Sequence, residues 1–472
     1  MKAQYYEPAY DLYYQYDNYR DSSFTGRRFS YHTVAKSVTK YHNAAVDTLG
    51  TSIDGKNIYG IKLGSGPLKV FMWSQMHGDE PTATMALFDL LNFLTANDNM
   101  NETRSHILNS ITLFIIPLLN PDGMEKYKRR SAVDIDINRD ALRLVNPESQ
   151  ILMNNFKAFA PDVSFNLHDQ LPRYTVGITH RSALLALLAP AFNYEKELSP
   201  NRTRAMQVCA HISNVLSAYI PGHIARYTDE FEPRAFGDNL QKLGSSTVLI
   251  ESGGWKNDPE KQYIRKMNFL AYVSALSALA DDRISKIPLN YYDQIPYNEK
   301  YLYDVLLREL TITRNDKDYL IDVGINLNEI PAAGHTGFRV ASTVEDAGDL
   351  STFYGNRDHI LTGYRIEPGK VYPKTFESID QLGNIDFDSL YGKGYIYVMA
   401  NDAGSFGRQN DYPIIVTVPD FDKKERKNYL TIGNAANFII TKDGKTRFVV
   451  INGFLYDTEL KAGYIKNGLI IR

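Results

Sequence analysis

Short apolar runs and amphipathic segments alternate along the first part of the chain. Continuous apolar runs bounded by turn-forming residues predict buried strands. One such run begins at Leu68, and the others are Ile111–Leu118, Val163–Leu167 and Thr247–Ile250. Apolar residues at helical spacing predict helices behind Thr82 and over Glu148–Phe159, Arg181–Leu188, Arg202–Tyr219 and Pro259–Leu279. The alternation predicts an α/β fold, with helices on both faces of a central sheet.

The pattern changes near Asp281. Residues 282–297 are rich in Pro, Asn, Asp and Tyr, which is typical of a linker. Beyond Asn298 the chain consists mainly of short strand-like runs, namely YLIDVGI, GFRVAST, GYIYVMA, YPIIVTV, NFIIT, RFVVI and GLIIR. Such runs between Gly, Asn and Asp indicate a β-sandwich or a barrel. We therefore predict an α/β domain over residues 1–285 and an accessory all-β, sandwich-like domain over residues 286–472.

Composition narrows the class of protein. The chain has 472 residues, is 43% apolar and 23% charged, and carries a net charge of −3. The mixed charges argue against a nucleic-acid-binding protein, which usually shows a basic face. The single cysteine, Cys209, excludes an internal disulfide. The apolar runs are shorter than the roughly 18 residues of a membrane span.

The compartment stays open at this level. The N-terminus begins MKAQYYEPAYD and shows no apolar signal core. If a signal peptide has been removed from the chain, a secreted or periplasmic location is slightly favoured. Otherwise a cytoplasmic location is expected. The sequence does not predict the oligomeric state.

His77 and Glu80 lie between a predicted strand and a predicted helix, in the stretch MHGDEP. Polar loops that follow a strand are where open α/β sheets place their sites. An imidazole and a carboxylate three residues apart can reach one zinc ion, and both are good zinc ligands. Such a pair is a weak signal by itself, so the metal hypothesis requires a third ligand.

His168 and Glu251 each follow another predicted strand. His168 ends the run VSFNLH and would be the third ligand of a catalytic zinc, whose fourth position stays open. A carboxylate directly after a buried strand, as at Glu251, is costly unless it is paired or used. Near a metal it can act as a general base for hydrolysis. A lone histidine is more often structural, and it is the combination that favours a metal site.

Charged residues cluster in RRSAVDIDINRD, which contains Arg129, Asp136, Asn138 and Arg139. A solvated charged loop is the simplest explanation. The run also nearly matches a calcium loop, but Arg139 stands where glycine is required and Val145 where the bidentate glutamate is required. Arginines beside a metal site can bind a carboxylate bidentately or stabilise an oxyanion.

Five motifs in this order resemble those of the zinc metallocarboxypeptidases of the carboxypeptidase A and B kind. They are MHGDE, NPDG, RRSAVDIDINRD, NLHDQ and IESGG, and they fall within residues 68–254. The resemblance extends from about Phe29 to Leu279 and implies a carboxypeptidase-like mixed central sheet. It also implies a bacterial subgroup with an added C-terminal β-domain.

The resemblance implies one zinc ion per chain, held by His77, Glu80 and His168. Glu251 would then be the general base. Asp136 would be the carboxylate that orients His77, which is the support that metal-bound histidines usually have.

The resemblance also implies residues that contact the substrate. Arg129, rather than Arg130, would polarise the scissile carbonyl. Asn138 and Arg139 would bind the terminal carboxylate. Tyr227 is the nearest match to the mobile tyrosine of the family, although its position is offset.

The leading hypothesis is zinc-dependent hydrolysis of the C-terminal peptide bond of peptides. One alternative is a zinc-dependent amidase or deacylase acting on cell-wall peptides or acyl-amino acids. Another is a catalytically inactive protein that binds peptide or glycan. The chain has no GxSxG elbow, which argues against a serine hydrolase of that kind. The expected partner is a peptide or acyl-amino acid with a free carboxylate, and the residue preference is not predicted.

Overall fold

The computed structural model describes residues 6–41, 44–332, 337–402, 409–417, 429–460 and 467–471. The chain divides into two compact units, Met1–Lys300 and Tyr301–Arg472. The predicted change at residues 285/286 precedes this division. The residues between the predicted boundary and the observed one belong to the first unit, because they include the strand Asn298–Glu299, which pairs with Thr175–Val176.

The first unit is built around one large sheet. The strands of the unit are β1 (Ala45–Thr51), β2 (Asn57–Leu63), β3 (Leu68–Ser74), β4 (Ile111–Ile116), β5 (Val163–Asp169), β6 (Thr175–Val176), β7 (Leu185–Leu188), β8 (Ile224–Arg226), β9 (Ser246–Ser252) and β10 (Asn298–Glu299). Strands β6 and β10 form a separate pair. The 8-stranded sheet has the order β1-β2-β4-β3-β5-β9-β7-β8. Strands β4, β3, β5 and β9 are parallel neighbours, whereas β1, β2 and β7 add antiparallel pairs.

Helices cover both faces of this sheet. They are α1 (Ala9–Gln15), α2 (Tyr31–Val38), α3 (Thr82–Thr95), α4 (Asn101–Ser110), α5 (Pro121–Lys126), α6 (Pro147–Phe159), α7 (Pro200–Leu216), α8 (Phe236–Lys242), α9 (Gln262–Ala280) and α10 (Asn290–Asp293). Successive side chains of a strand point to opposite faces. Accordingly Val70 and Met72 of β3 join a core that includes α3 and α9, whereas Phe71 and Trp73 join a core with α6 and α8. The predicted mixed α/β sheet is therefore confirmed.

One predicted helix, Arg181–Leu188, is wrong. Leu185–Leu188 forms β7, which pairs with β9 antiparallel and with β8 parallel. All four of its residues are buried. A short apolar run that is buried on both faces has no periodicity that separates a strand from a helix. The sheet decides the conformation here, because β7 satisfies its backbone groups through two neighbouring strands.

The second unit is rich in β-structure. Its strands are β11 (Leu302–Arg314), β12 (Lys317–Pro331), β13 (Phe338–Gly348), β14 (Tyr354–Ile360), β15 (Arg365–Glu367), β16 (Lys370–Phe376), β17 (Tyr395–Ala400), β18 (Gln409–Asn410), β19 (Ile415–Thr417), β20 (Phe438–Lys442), β21 (Lys445–Ile451), β22 (Phe454–Asp457) and β23 (Gly468–Ile471). They form an 8-stranded sheet, in which β14 pairs with β11, and a 5-stranded sheet. A shared core contains Ile439 and Val449 from the first of these sheets and Val398 and Val416 from the second.

The C-terminal prediction is confirmed as a β-rich region, but it is not purely β. The predicted strand-like runs coincide with β12, β13, β17, β19, β20, β21 and β23. Residue 418 of YPIIVTV and residue 472 of GLIIR lie outside the described residues. A short helix, α11 (Phe387–Gly392), interrupts the strands, and Asp386 caps it by accepting the N–H of Ser389. Within the described ranges, no helix is long and apolar enough to cross a bilayer.

A buried ion pair joins α3 to α9 in the first unit. The Arg265 guanidinium donates to Asp89 through Nε at 2.7 Å and Nη2 at 2.5 Å, and both side chains are fully buried. Arg265 also donates to the carbonyls of Phe24 and Asp21, and Tyr16 donates its hydroxyl to Asp89. The N-terminal segment is therefore fixed onto the two helices by charge-assisted hydrogen bonds.

We expect Asp89→Asn to lower the free energy of unfolding by about 3–5 kcal/mol, since it leaves the buried Arg265 charge uncompensated. Urea unfolding measures the change. The control is Asp47→Asn, because the Asp47–Lys62 pair is 4.0 Å apart with side chains 58% and 42% exposed. Its loss should cost no more than about 1 kcal/mol. Equal losses in the two variants would contradict the structural role of the Arg265–Asp89 pair.

Candidate active site

Three parallel strands bring the predicted site residues to one edge of the sheet. His77 follows the end of β3, His168 is the penultimate residue of β5, and Glu251 is the penultimate residue of β9. Since the carboxyl ends of parallel strands meet at the same edge, these residues converge although they are far apart in sequence. His168 and Glu251 are register partners across β5 and β9, so their side chains point to the same face.

His77, Glu80 and His168 form a buried cluster of potential metal ligands. Each offers one ligand atom, and these atoms all lie within 4.8 Å of one another. Glu80 lies between the imidazoles, with Oε1 2.8 Å from His77 Nδ1 and Oε2 2.7 Å from His168 Nδ1. The two Nδ1 atoms are 3.1 Å apart. A tetrahedral zinc with ordinary bond lengths would separate its ligand atoms by about 3.4 Å, so the cluster needs to open only slightly.

The donor chemistry of the cluster also fits a cation. Two ring nitrogens that face each other can share at most one proton, whereas a metal ion accepts a lone pair from each. His77 Nε2 is 3.1 Å from Asp136 Oδ1, which leaves its Nδ1 free to act as a ligand. His168 Nε2 is buried with no hydrogen-bond partner among the described residues.

The turn that carries His77 depends on a close approach of two backbones. Gln75 adopts a left-handed φ of 51°, and its side-chain Nε2 donates to the carbonyl of Gly78 at 2.9 Å. A Cβ on Gly78 would lie 2.0 Å from the carbonyl carbon of Gly123, so only glycine fits here. Gly123 belongs to the predicted NPDG turn, in which Asn120 caps α5 by accepting the N–H of Gly123. Two of the sequence motifs thus shape the same wall of the site.

Burial and charge act in opposite directions on the ligand cluster. Burial alone would raise the pKa of Glu80, but His77 and His168 outweigh it and hold that pKa well below its usual range. Burial disfavours the charged form of His77, yet Glu80 and Asp136 raise its pKa to about 9. Burial dominates at His168 and lowers its pKa. Glu80 is therefore ionised within the cluster, and its charge is paired with His77.

Asp136 and Arg129 surround this cluster. Arg129 donates from Nε to Asp136 at 3.0 Å, and its Nη1 lies 3.2 Å from Glu80 Oε1 and 3.1 Å from His77 Nδ1. Although burial opposes it, hydrogen bonding to His77 leads the effects that hold the pKa of Asp136 below its usual range. Arg130 instead donates to the carbonyl of Asp134 at the surface. Of the two arginines, Arg129 is the one that reaches the cluster.

Glu251 is a buried carboxyl beside the ligands. Burial raises its pKa well above the usual range, and the negative charge of Glu80 adds to this effect. Tyr227 follows β8 and packs on a small apolar cluster that includes Ala186, the register partner of Glu251 in β7. Burial raises the pKa of Tyr227, and the charge of Glu251 contributes. The offset tyrosine therefore lies close enough to Glu251 for their charges to interact.

Asn138 and Arg139 lie in a short 3₁₀ turn, Ile137–Arg139, that Asp136 caps. The side-chain oxygen of Asn138 accepts the N–H of Phe236, which begins α8. Arg139 donates from Nη1 to the Asn138 carbonyl, and its Nε forms an ion pair with Glu232 at 3.2 Å. The polar contacts of Arg139 are thus directed to its own loop and to Glu232 rather than to the ligand cluster.

Sequence reasoning missed the polar residues behind the cluster. The backbone N–H of Asp169 donates to Glu80, and the Asp169 carboxylate forms a buried ion pair with Lys261. In the sequence, Asp169 is distinguished only by its position directly after His168. Lys261 lies in the polar run KNDPEKQ, which has the pattern of a solvated helix start. No local signal in the sequence distinguishes a buried lysine there.

The chain resembles known carboxypeptidases over part of its length. Carboxypeptidase 2 of Trichophyton rubrum is 29% identical over 105 residues, which cover 22% of this chain and 19% of that protein. Carboxypeptidase SOL1 of Arabidopsis thaliana is 28% identical over 137 residues, covering 26% and 28%. The chain thus spans about a fifth of the length of the first curated relatives that it matches.

Solved structures with a similar chain trace include a metallo-carboxypeptidase from Pseudomonas aeruginosa in complex with (2-guanidinoethylmercapto)succinic acid. It is 20% identical, with a TM-score of 0.44, and the match covers 54% of this chain and 70% of that one. A metallo-carboxypeptidase from Burkholderia cenocepacia is 16% identical, with a TM-score of 0.44 and coverage of 54% and 70%.

A family model described as zinc carboxypeptidase matches residues 31–164. The matched segment includes His77, Glu80, Arg129 and Asp136, and it ends shortly before His168. The resemblance predicted from the ordered motifs is therefore confirmed, and residues 31–164 carry the sequence pattern of the zinc carboxypeptidase family.

Proposed function

We propose that this protein is a zinc-dependent carboxypeptidase. The observation that carries the proposal is the convergence of three buried ligand atoms beside a fourth buried residue, Glu251. His77, Glu80 and His168 would hold the metal, since two imidazoles and one carboxylate suit zinc, whereas calcium and magnesium prefer oxygen ligands. Zinc, when bound, supplies a Lewis acid that polarises a carbonyl and lowers the pKa of water.

Glu251 would move the proton. Its carboxylate would take a proton from the attacking water and pass it to the departing amine nitrogen as the peptide bond breaks. Because burial and the charge of Glu80 raise its pKa, Glu251 holds a proton more firmly than an exposed glutamate. Such a group can accept a proton in one step and donate it in the next.

Arg129 would stabilise the charge that develops on the carbonyl oxygen. Its guanidinium is already directed at the cluster, where Nη1 contacts Glu80 and His77. Asp136 accepts a hydrogen bond from Nε of the same guanidinium, so Arg129 is already oriented before the reaction. Electrostatic stabilisation of this kind is most effective when the donor is fixed in advance.

Asn138 and Arg139 would bind the terminal carboxylate of the substrate. A guanidinium matches two carboxylate oxygens with paired N–H donors. Arg139 already holds a carboxylate, that of Glu232, which supports its capacity for this task. The names of the curated relatives, which are carboxypeptidases, also support a substrate with a free chain end.

We expect the purified wild type to contain about one zinc ion per chain and His168→Ala to lose it on dialysis against a chelator, because two ligands hold zinc much more weakly than three. Metal analysis by mass spectrometry measures the content. His211→Ala is the matched control, since His211 is also buried but contacts Ser274 and Glu7 elsewhere in the fold. Equal zinc in wild type and His168→Ala would exclude the three-ligand assignment.

For Glu251→Gln we expect zinc to be retained and kcat to fall by about 10²–10⁴-fold, the usual contribution of a general base. Peptide hydrolysis is followed at saturating substrate. Glu148→Gln serves as control, because Glu148 is a fully buried glutamate in α6 that bonds the backbone of Ile53. Near-normal turnover in Glu251→Gln would remove this residue from the mechanism.

Arg139→Ala should lower kcat/KM on free-acid peptides by roughly 10- to 200-fold, since a hydrogen bond to a charged group contributes about 1.5–3 kcal/mol. It should have little effect on the C-terminally amidated form, which the wild type should already cleave poorly. The measurement compares one peptide in both forms, with and without chelator.

Arg130→Ala is the control for this comparison, because Arg130 is a surface arginine of the same charged run and donates to the Asp134 carbonyl. It should leave both activities unchanged. If the wild type cleaves the acid and the amide equally well, Arg139 does not bind a terminal carboxylate. A zinc amidase or endopeptidase would then describe the protein better. Absence of cleavage with zinc bound would favour a binding protein.

A further inference from the structure

A buried lysine lies directly behind the ligand cluster. The Lys261 ammonium is 2.9 Å from Asp169 Oδ2, and the two side chains are only 8% and 6% exposed. Burying a charge pair in this way is costly, and the pair often contributes little to stability compared with apolar residues. The position of Lys261 therefore calls for an explanation beyond stability.

The backbone around Lys261 adds two further costs. Lys261 adopts a left-handed φ of 51° at the residue that precedes α9. This conformation is unfavourable for a residue with a Cβ. A positive charge at the N-terminus of a helix is also opposed by the helix dipole. Strained residues that a fold retains are concentrated at functional sites.

The Lys261 ammonium forms a second bond, to the end of β9. It donates to the carbonyl of Ser252 at 3.1 Å, and the N–H of Gln170 donates to the same carbonyl at 3.0 Å. Ser252 directly follows Glu251 in the chain. The ammonium therefore fixes the backbone that carries the proposed base.

The partner of Lys261 is bonded to the metal-ligand segments. Asp169 directly follows His168, and its backbone N–H donates to Glu80 at 3.2 Å. Its carboxylate oxygen Oδ2 accepts the hydroxyl of Thr82 at 2.5 Å. Thr82 is the first residue of α3 and lies two residues after Glu80.

Three backbone segments therefore meet at one buried ion pair. One carries Glu80, one carries His168 and one carries Glu251. We propose that Lys261, through Asp169, is a positioning residue that sets the spacing of these three side chains; this inference rests on the proposed zinc-dependent function. Lys261 itself contacts neither substrate nor reacting atoms in this role. It acts by holding the ends of β5 and β9 and the start of α3 at a fixed separation.

A purely structural role is the competing explanation, and the fold offers a matched control for it. Arg265 lies four residues beyond Lys261 in sequence and also forms a buried pair with a carboxylate, Asp89 of α3. Its remaining bonds are to Gln262 and to the carbonyls of Asp21 and Phe24. Loss of either pair should reduce stability. Only loss of the Lys261 pair should change the affinity for zinc.

The experiment compares Lys261→Met and Arg265→Met with the wild-type full chain. Zinc affinity is measured by competition with a chelator of known affinity, independently of activity, and stability is measured on the zinc-free proteins. We expect Lys261→Met to bind zinc about 10- to 100-fold more weakly, which is the usual effect of losing the support of a metal ligand. Its kcat should fall while KM changes little, since the proposed carboxylate-binding residues Asn138 and Arg139 lie on another segment. Arg265→Met should keep its zinc affinity within about twofold.

Two further variants keep the inference testable if Lys261→Met does not fold. Lys261→Arg retains the charge and should recover part of the zinc affinity. Thr82→Val removes only one hydroxyl from Asp169 and should weaken zinc binding by about 2- to 10-fold, as the loss of one hydrogen bond does. Unchanged zinc affinity in Lys261→Met, or in Thr82→Val where the former is insoluble, would overturn the positioning role. A wild type without zinc would instead overturn the proposed function, and the positioning role with it.

Discussion

The parallel pairing of β3, β5 and β9 is the constraint on which the site depends. His168 and Glu251 are opposite each other in adjacent strands, so the backbone register sets the distance between them. A slip of one residue would turn one of these side chains to the other face of the sheet. That register is secured by buried side chains on both faces, such as Val70 and Phe71 of β3. The two cores therefore contribute to the site by excluding other registers.

Burial gives the charges at this edge of the sheet most of their effect. Glu80 retains its charge only because His77 and His168 offset the cost of removing it from water. Glu251 has no such pair of partners, and its pKa rises instead. Two carboxyl groups close together thus behave differently because their neighbours differ, as is usual at catalytic sites. A cation bound by the three ligands would take the place of the protons that pair these groups in its absence.

The sequence predicted residues whose signal is local and missed those whose role depends on distant contacts. Strand ends with an imidazole or a carboxylate stand out in the sequence, and the structure brings His77, Glu80, His168 and Glu251 together. By contrast, the strand β7 was mistaken for a helix because its apolar run is short and its strand partners are remote. Lys261 was missed for a similar reason. Its polar surroundings in sequence give no sign that its ammonium is buried beside Asp169.

The charge of Arg139, the residue proposed to bind the substrate carboxylate, is already paired with another carboxylate. Glu232 accepts from Arg139 at 3.2 Å, and it is held more closely by Arg234, with contacts of 2.9 Å and 2.8 Å. All three side chains are partly exposed, so these pairs exchange at little cost in water. A terminal carboxylate that reaches Arg139 would therefore replace Glu232 there. Glu232 would remain paired with Arg234. In the proposed complex one carboxylate would be exchanged for another, and the strength of binding would depend on the contacts made by the rest of the substrate.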